Sequence, residues 1–105
     1  MQNIIIVGSS GHAKVIIDIV EKEKKYHIIG LLDKFKKVGD EVLGYKIMGE
    51  EKDIPDLIEK YNVVGGLIAI GDNWIRKNVY EKIKSIVPNF PFVKAIHPNA
   101  QIARS

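Results

Sequence analysis

Three short clusters of small and polar residues carry the chemistry that this sequence can do. The first is Gly8-Ser9-Ser10-Gly11-His12, two glycines around two hydroxyls with an imidazole behind them. Glycine permits a tight turn and a close approach of backbone to ligand. The unpaired N–H groups that open a helix attract anions. His12 stands where an imidazole either hydrogen-bonds a phosphate or sugar or caps its own turn. The second cluster is Asp33-Lys34, with Asp33 lying 25 positions beyond Gly8. That is roughly where a ribose-binding carboxylate follows a glycine-rich loop, although Asp33 also reads as a turn residue and Lys34 as a solvated cation. The third is Gly71-Asp72-Asn73 with Arg76 one turn on. An aspartate or asparagine there caps a helix, and a guanidinium can clamp a phosphate through two parallel N–H bonds. Trp74 beside them reads as a packing residue, and His27 and His97 as structural. The shared chemistry is recognition of a phosphorylated, nucleotide-like ligand.

The elements that position these clusters are legible from hydrophobic period. Residues 3–7 form a β-branched run bounded by glycine, the pattern of a buried strand. Residues 13–24 place Ile16, Ile19 and Val20 at helical spacing, with Lys14, Asp18, Glu21 and Lys22 turned outward. A second strand covers 26–32, residues 34–44 read as a lysine- and glycine-rich loop, and 45–48 as a short strand. Asp53 caps a helix that carries Pro55 in its first turn and Ile54, Leu57, Ile58 and Tyr61 on one face. Residues 66–70 form a strand ending on Gly71. A helix with Ile75, Val79, Ile83 and Ile86 on its buried face then runs to Pro88, and a last strand covers 92–96. Such alternation predicts a Rossmann-like α/β fold, a parallel sheet with flanking helices. Ligands of open parallel sheets sit beyond the carboxyl ends of the strands. All three clusters therefore fall on one rim.

Length and composition narrow the class. At 105 residues the chain is one domain, and 46% apolar with 28% charged residues is an ordinary globular mixture. It contains no cysteine, which removes disulfides, thiolate metal sites and cysteine nucleophiles together. No metal-ligand cluster, serine–histidine–acid set or correctly placed P-loop lysine occurs, so no catalytic residue is assigned. The net charge is +3, but its lysines alternate with acids, the pattern of a solvated surface rather than of a nucleic-acid reader. No apolar run reaches the ~20 residues of a membrane span. The amino-terminal stretch lacks a secretory pattern, and a cytoplasmic protein is expected.

The tail adds Ile96 and Ile102, six apart with Ala100 and Ala103 beside them, the period of a hexapeptide β-helix at its first turn. One turn cannot bury its own apolar corner, so a solenoid would need more repeats. The expected division is residues 1–95 as a Rossmann-like domain and 96–105 as the start of a truncated left-handed β-helix.

Taken in order, Gly8-Ser9-Ser10-Gly11-His12-Ala13-Lys14-Val15, Leu32-Asp33, Gly44-Tyr45-Lys46-Ile47-Met48-Gly49, Ala69-Ile70-Gly71-Asp72-Asn73 with Arg76, and His97-Pro98-Asn99-Ala100 form a set. It resembles the N-terminal domain of bacterial sugar O-acyltransferases of the sialic acid O-acetyltransferase type. That family includes the N-acetyltransferases of UDP-4-amino-sugars, and the resemblance spans essentially the whole chain. It implies a nucleotide-sugar-binding domain, with a UDP-sugar as ligand and Gly8, Ser9, Ser10, Gly11, His12, Asp33, Lys34, Gly71, Asp72, Asn73 and Arg76 around it. It further implies a full-length parent that is a homotrimeric acetyltransferase of bacterial glycan biosynthesis. There acetyl-CoA is the co-substrate, and a β-helix histidine is the general base that deprotonates the attacking amine or hydroxyl. This fragment would bind neither acetyl-CoA nor another cofactor, and would not turn over alone. Many relatives carry Asp-Asp where this chain has Asp33-Lys34. Two rival readings remain: an NAD-binding oxidoreductase or epimerase domain, and a non-catalytic nucleotide-sensing module. Against the first, the third glycine is missing, and the one Tyr-x-x-x-Lys, Tyr80 to Lys84, falls two turns down a helix.

Overall fold

The computed structural model describes residues 1–93. The strand expected over 92–96 is thus covered only to Val93. The His97-Pro98-Asn99-Ala100 motif and the β-helix start at 96–105 lie outside the described residues.

The core forms around one strand. In β1 (Gln2–Val7), Ile4, Ile5 and Ile6 are wholly buried and Val7 nearly so. It pairs in parallel with β2 (Tyr26–Leu32) on one side and with β5 (Val63–Ile68) on the other. Beyond β2 lies β4 (Tyr45–Gly49), also parallel, and β3 (Glu41–Val42) closes that edge, giving the order β3-β4-β2-β1-β5. Side chains alternate across a strand, so Ile4 and Ile6 enter one apolar layer while Ile5 and Val7 enter the other. The first layer takes Ala13, Ile17 and Val20 of α1 (Gly11–Glu23). The second takes Ile54 and Leu57 of α2 (Ile54–Tyr61) with Val79 and Ile83 of α3 (Asn73–Ile86). Helices cover both faces of the sheet, and the domain is Rossmann-like α/β.

The sheet departs from the wholly parallel expectation at one place. The crossover from β2 to β4 holds no helix: Gly39 turns the chain with φ at 100°, and Phe35 and Val38 stay exposed. It instead ends in a hairpin with β3 antiparallel to β4 and Val42 opposite Tyr45. The connecting residues Leu43 (φ 53°) and Gly44 (φ 85°) are both left-handed, as a two-residue turn matching the strand twist requires.

Other differences have equally local causes. The buried stripe of α1 is Ala13, Ile17 and Val20, with Ile16 and Ile19 only half-buried, so the helix is rotated from the expected face. In α3, Val79 and Ile83 are buried but Ile75 is 49% exposed, because the helix begins out past the end of the sheet. β5 starts at Val63, three residues before the expected strand, and takes Gly65 and Gly66 into its interior. A Cβ on Gly65 would stand 2.6 Å from the Pro91 carbonyl oxygen. The returning chain is that close because Val93 N–H donates to the Gly66 carbonyl at 2.8 Å. Asp53 accepts from the Glu50 N–H at 2.9 Å, closing a reciprocal cap on the 3-10 turn Glu51–Asp53 that leads into α2. Glu51 is buried and lies 3.7 Å from the Lys82 ammonium, tying this turn to α3.

Tyr45 fastens the β4 edge to α1 by donating its hydroxyl to the Glu21 carboxylate. Burial, the hydrogen bond to Glu21 and the Glu21 charge together push the phenol from 10.0 up to about 12. The folded state therefore favours the neutral phenol. Its contribution to stability is complete below about pH 10 and is lost as pH rises from about 10 to about 12. Urea unfolding across that window is expected to show a loss of stability that Tyr45→Phe abolishes. Ultraviolet titration of the phenolate should show a transition near pH 12 that is absent from Tyr45→Phe.

Candidate functional site

The rim at the carboxyl end of the sheet is level because the register makes it so. Val7 of β1 stands opposite Leu32 of β2 and Ile68 of β5, and Leu32 opposite Gly49 of β4. Backbone hydrogen bonds continue the ladder one residue past the strands: Gly8 N–H to Leu32 O and Ala69 N–H to Val7 O at 2.8 Å each, and Asp33 N–H to Gly49 O at 2.9 Å. The loops after β1, β2 and β5 consequently leave from one edge, as the alternation of elements predicts.

Gly8 starts the first loop with φ at 115°, and a Cβ there would lie 2.6 Å from the Ala69 carbonyl oxygen. No other residue type fits without moving β5 or the loop. Next comes Ser9, 2% exposed, whose hydroxyl donates to Asp33 Oδ2 at 2.5 Å. Asp33 Oδ1 accepts from the Phe35 N–H at 2.8 Å. One carboxylate thus binds the first loop to the second and holds the second in a turn. These side chains fix the site's shape, and the hydroxyl of Ser9 reaches Asp33 rather than solvent.

Ser10 occupies the cap position of α1 with an extended backbone, yet its side chain makes no capping bond, and the first turn holds no acidic residue. Gly11 is exposed, with open space where a Cβ would be. The first N–H groups of α1 therefore keep their capacity for an anion. Ser9, Ser10, Gly11 and Lys14 line a cleft of about 400 Å³, whose other wall is Lys36, Glu41, Val42 and Leu43 from the crossover and its hairpin. Lys34 points elsewhere, its ammonium 5.3 Å from the centre of the Phe35 ring. The lysine that the second loop gives to the cleft is Lys36, two residues later than the one singled out from the sequence. The difference comes from the turn after Asp33, which carries Lys34 over the Phe35 ring and Lys36 to the cleft. Lys14, one turn into α1, was legible only as an outward-facing cation.

The third loop meets the first through His12, whose ring lies 3.8–3.9 Å from where a Cβ on Gly71 would stand. Asp72 caps α3, accepting from the Ile75 N–H at 2.9 Å. The Arg76 guanidinium donates to the Asn73 side chain and, at 3.5 Å, to the Ile70 carbonyl. Asn73 and Arg76 border a different cleft, of about 470 Å³, walled by Leu67, Ile68, Tyr80 and Phe92. The rim thus holds two hollows. Trp74 is 71% exposed and does not pack as expected. Tyr80 lies against Phe92, ring centres 4.8 Å apart, which accounts for it without a catalytic role.

Removing the Ser9 hydroxyl takes a hydrogen bond from a part-buried carboxylate. Ser9→Ala should cost about 1–2 kcal/mol in urea unfolding, whereas Ser10→Ala, which breaks no such bond, should stay within about 0.5 kcal/mol of the unaltered chain.

Comparison with known proteins places this arrangement. The PglD N-terminal domain family matches residues 3–83. A UDP-N-acetylbacillosamine N-acetyltransferase of Bacillus subtilis (strain 168) is 32% identical over 106 residues, which is 100% of this chain and 47% of the relative. A mutant perosamine N-acetyltransferase from Caulobacter crescentus, solved in complex with CoA and GDP-perosamine, superposes with a TM-score of 0.77 at 29% identity. The match covers 93% of this chain and 44% of that one. The acetyltransferase domain of PglB from Neisseria gonorrhoeae FA1090, in complex with acetyl coenzyme A, shares the fold with a TM-score of 0.74 at 24% identity, over 92% and 44% of the two chains. The chain spans less than half the length of each of these proteins. With the fold, the glycine loop and the matched residues in agreement, the chain belongs to the PglD N-terminal domain family.

Proposed function

We propose that this chain is the nucleotide-sugar-binding domain of an acetyltransferase. The whole enzyme would move the acetyl group of acetyl-CoA onto a nucleotide-linked amino sugar, or onto a sialic acid, in bacterial glycan biosynthesis. The observation that carries this reading is the convergence of Ser10, Gly11, Lys14 and Lys36 on one cleft. A sugar nucleotide carries a diphosphate, and that anion needs backbone N–H donors and cations together. The uncapped start of α1 supplies the first, and Lys14 and Lys36 the second.

The role of these residues is to bind and orient. Ser9 and Asp33 hold the two cleft walls at a fixed separation, and His12 with Gly71 sets the side toward which the sugar extends. In this reading acetyl-CoA supplies the acetyl group, and both it and the general base belong to the remaining part of a homotrimeric, cytoplasmic parent. The name of the Bacillus relative supports a UDP-sugar, whereas the ligand of the Caulobacter relative is GDP-linked. We assign UDP. The NAD reading is weakened by the first loop, which continues Ala13-Lys14-Val15 where a dinucleotide fingerprint places its third glycine.

Calorimetry with UDP-, dTDP- and GDP-sugars, NAD and acetyl-CoA tests the proposal. Binding of the UDP-sugar with no response to NAD or acetyl-CoA is expected; tight NAD binding without a nucleotide-sugar response would reverse it. Lys36→Ala should weaken nucleotide-sugar binding by roughly 3- to 10-fold, with a shallower dependence on salt.

A further inference from the structure

The turn between β3 and β4 places a leucine where its chemistry is costly. Leu43 is one of three non-glycine residues with positive φ among those described, and it is 57% exposed. The other two, Lys24 and Asn62, are polar and end helices α1 and α2. For an L-residue the left-handed conformation crowds Cβ against the following carbonyl oxygen, and a two-residue hairpin of this type favours asparagine or aspartate before the glycine. Leu43 belongs to neither apolar layer of the core. The side chain instead lines the cleft that holds Ser10, Gly11, Lys14 and Lys36. Of that lining only Val42 and Leu43 are large apolar groups. Phe35, though 87% exposed, lies outside it.

We infer that Leu43 is a specificity-determining contact for the base of the bound nucleotide, an inference that rests on the reading of this cleft as a nucleotide-sugar site. A nucleotide has a charged end and an apolar ring face. In the cleft, Lys14, Lys36 and the free N–H groups of α1 form one set of contacts, while the exposed apolar surface comes from the hairpin, which also carries Glu41. The diphosphate lies on the former and the ring face packs on Leu43. Asparagine at this position would relieve the backbone but present a polar amide to that ring.

The test is a pair of opposed readouts on Leu43→Asn in the full chain. Relief of the left-handed strain should raise the unfolding midpoint by about 4 °C or more. Loss of the apolar contact should weaken UDP binding about 3- to 10-fold, while binding of inorganic pyrophosphate, which has no base, stays unchanged. Leu43→Met, which keeps the apolar contact, should bind UDP like the unaltered chain. Unchanged UDP affinity in Leu43→Asn, or an equal loss for UDP and pyrophosphate, overturns the assignment while leaving the nucleotide-sugar reading intact. A lowered unfolding midpoint removes its premise. Failure of the unaltered chain to bind UDP or any other nucleotide would overturn both.

Discussion

Strand β1 is enclosed on every side, with a parallel neighbour at each edge and a helical layer over each face. That enclosure is the constraint from which the rest of the domain follows. A strand so placed can tolerate only apolar side chains, which is why Ile4, Ile5, Ile6 and Val7 form an unbroken run. Parallel partners on both sides also force the chain to leave β1, β2 and β5 from the same end. The polar residues that cannot enter the core collect at that end, and the glycine loop, Asp33 and the cap of α3 become neighbours although 24 residues or more separate them along the chain.

Much of this could be read without coordinates, for a physical reason. Buried parallel strands and amphipathic helices announce themselves by composition and period, and glycines mark the turns between them. The rim therefore followed from the order of elements. What escaped were features set by contacts distant in sequence. The hollow against which α1 packs selects Ile17 over Ile16 and Ile19, a rotation that a generous apolar stripe leaves open. Gly65 and Gly66 look like strand breakers until Pro91 and Phe90 press against them. Trp74 and Ile75 sit on a helix start that overhangs the sheet, where helical period says nothing about the presence of a neighbour.

The candidate site shows the same division. Ser9 and Asp33 were recognisable as polar residues at strand ends, but not as partners of one another. The sequence could suggest that each meets a ligand, whereas the fold uses both to hold the walls of the cleft. The choice between Lys34 and Lys36 depends on how the chain turns after Asp33, and that turn is held by the Phe35 N–H on the Asp33 carboxylate. Family membership adds what no single residue could. It is the ground on which the proposed acceptor chemistry rests, for a hollow otherwise defined only by its charges and shape.

The helix-free passage from β2 to β4 has a further consequence. Residues 34–41 are exposed while Val42 packs against the core, and lengthening the exposed part raises the closure entropy only slowly. One wall of the cleft is therefore built from parts that can be exchanged, lengthened or recoloured without renegotiating the hydrophobic layers. The opposite wall, anchored by Gly8 against Ala69, has no such latitude. A scaffold with one fixed jaw and one replaceable jaw can vary the lining of its cleft through exposed residues, while its fold stays untouched.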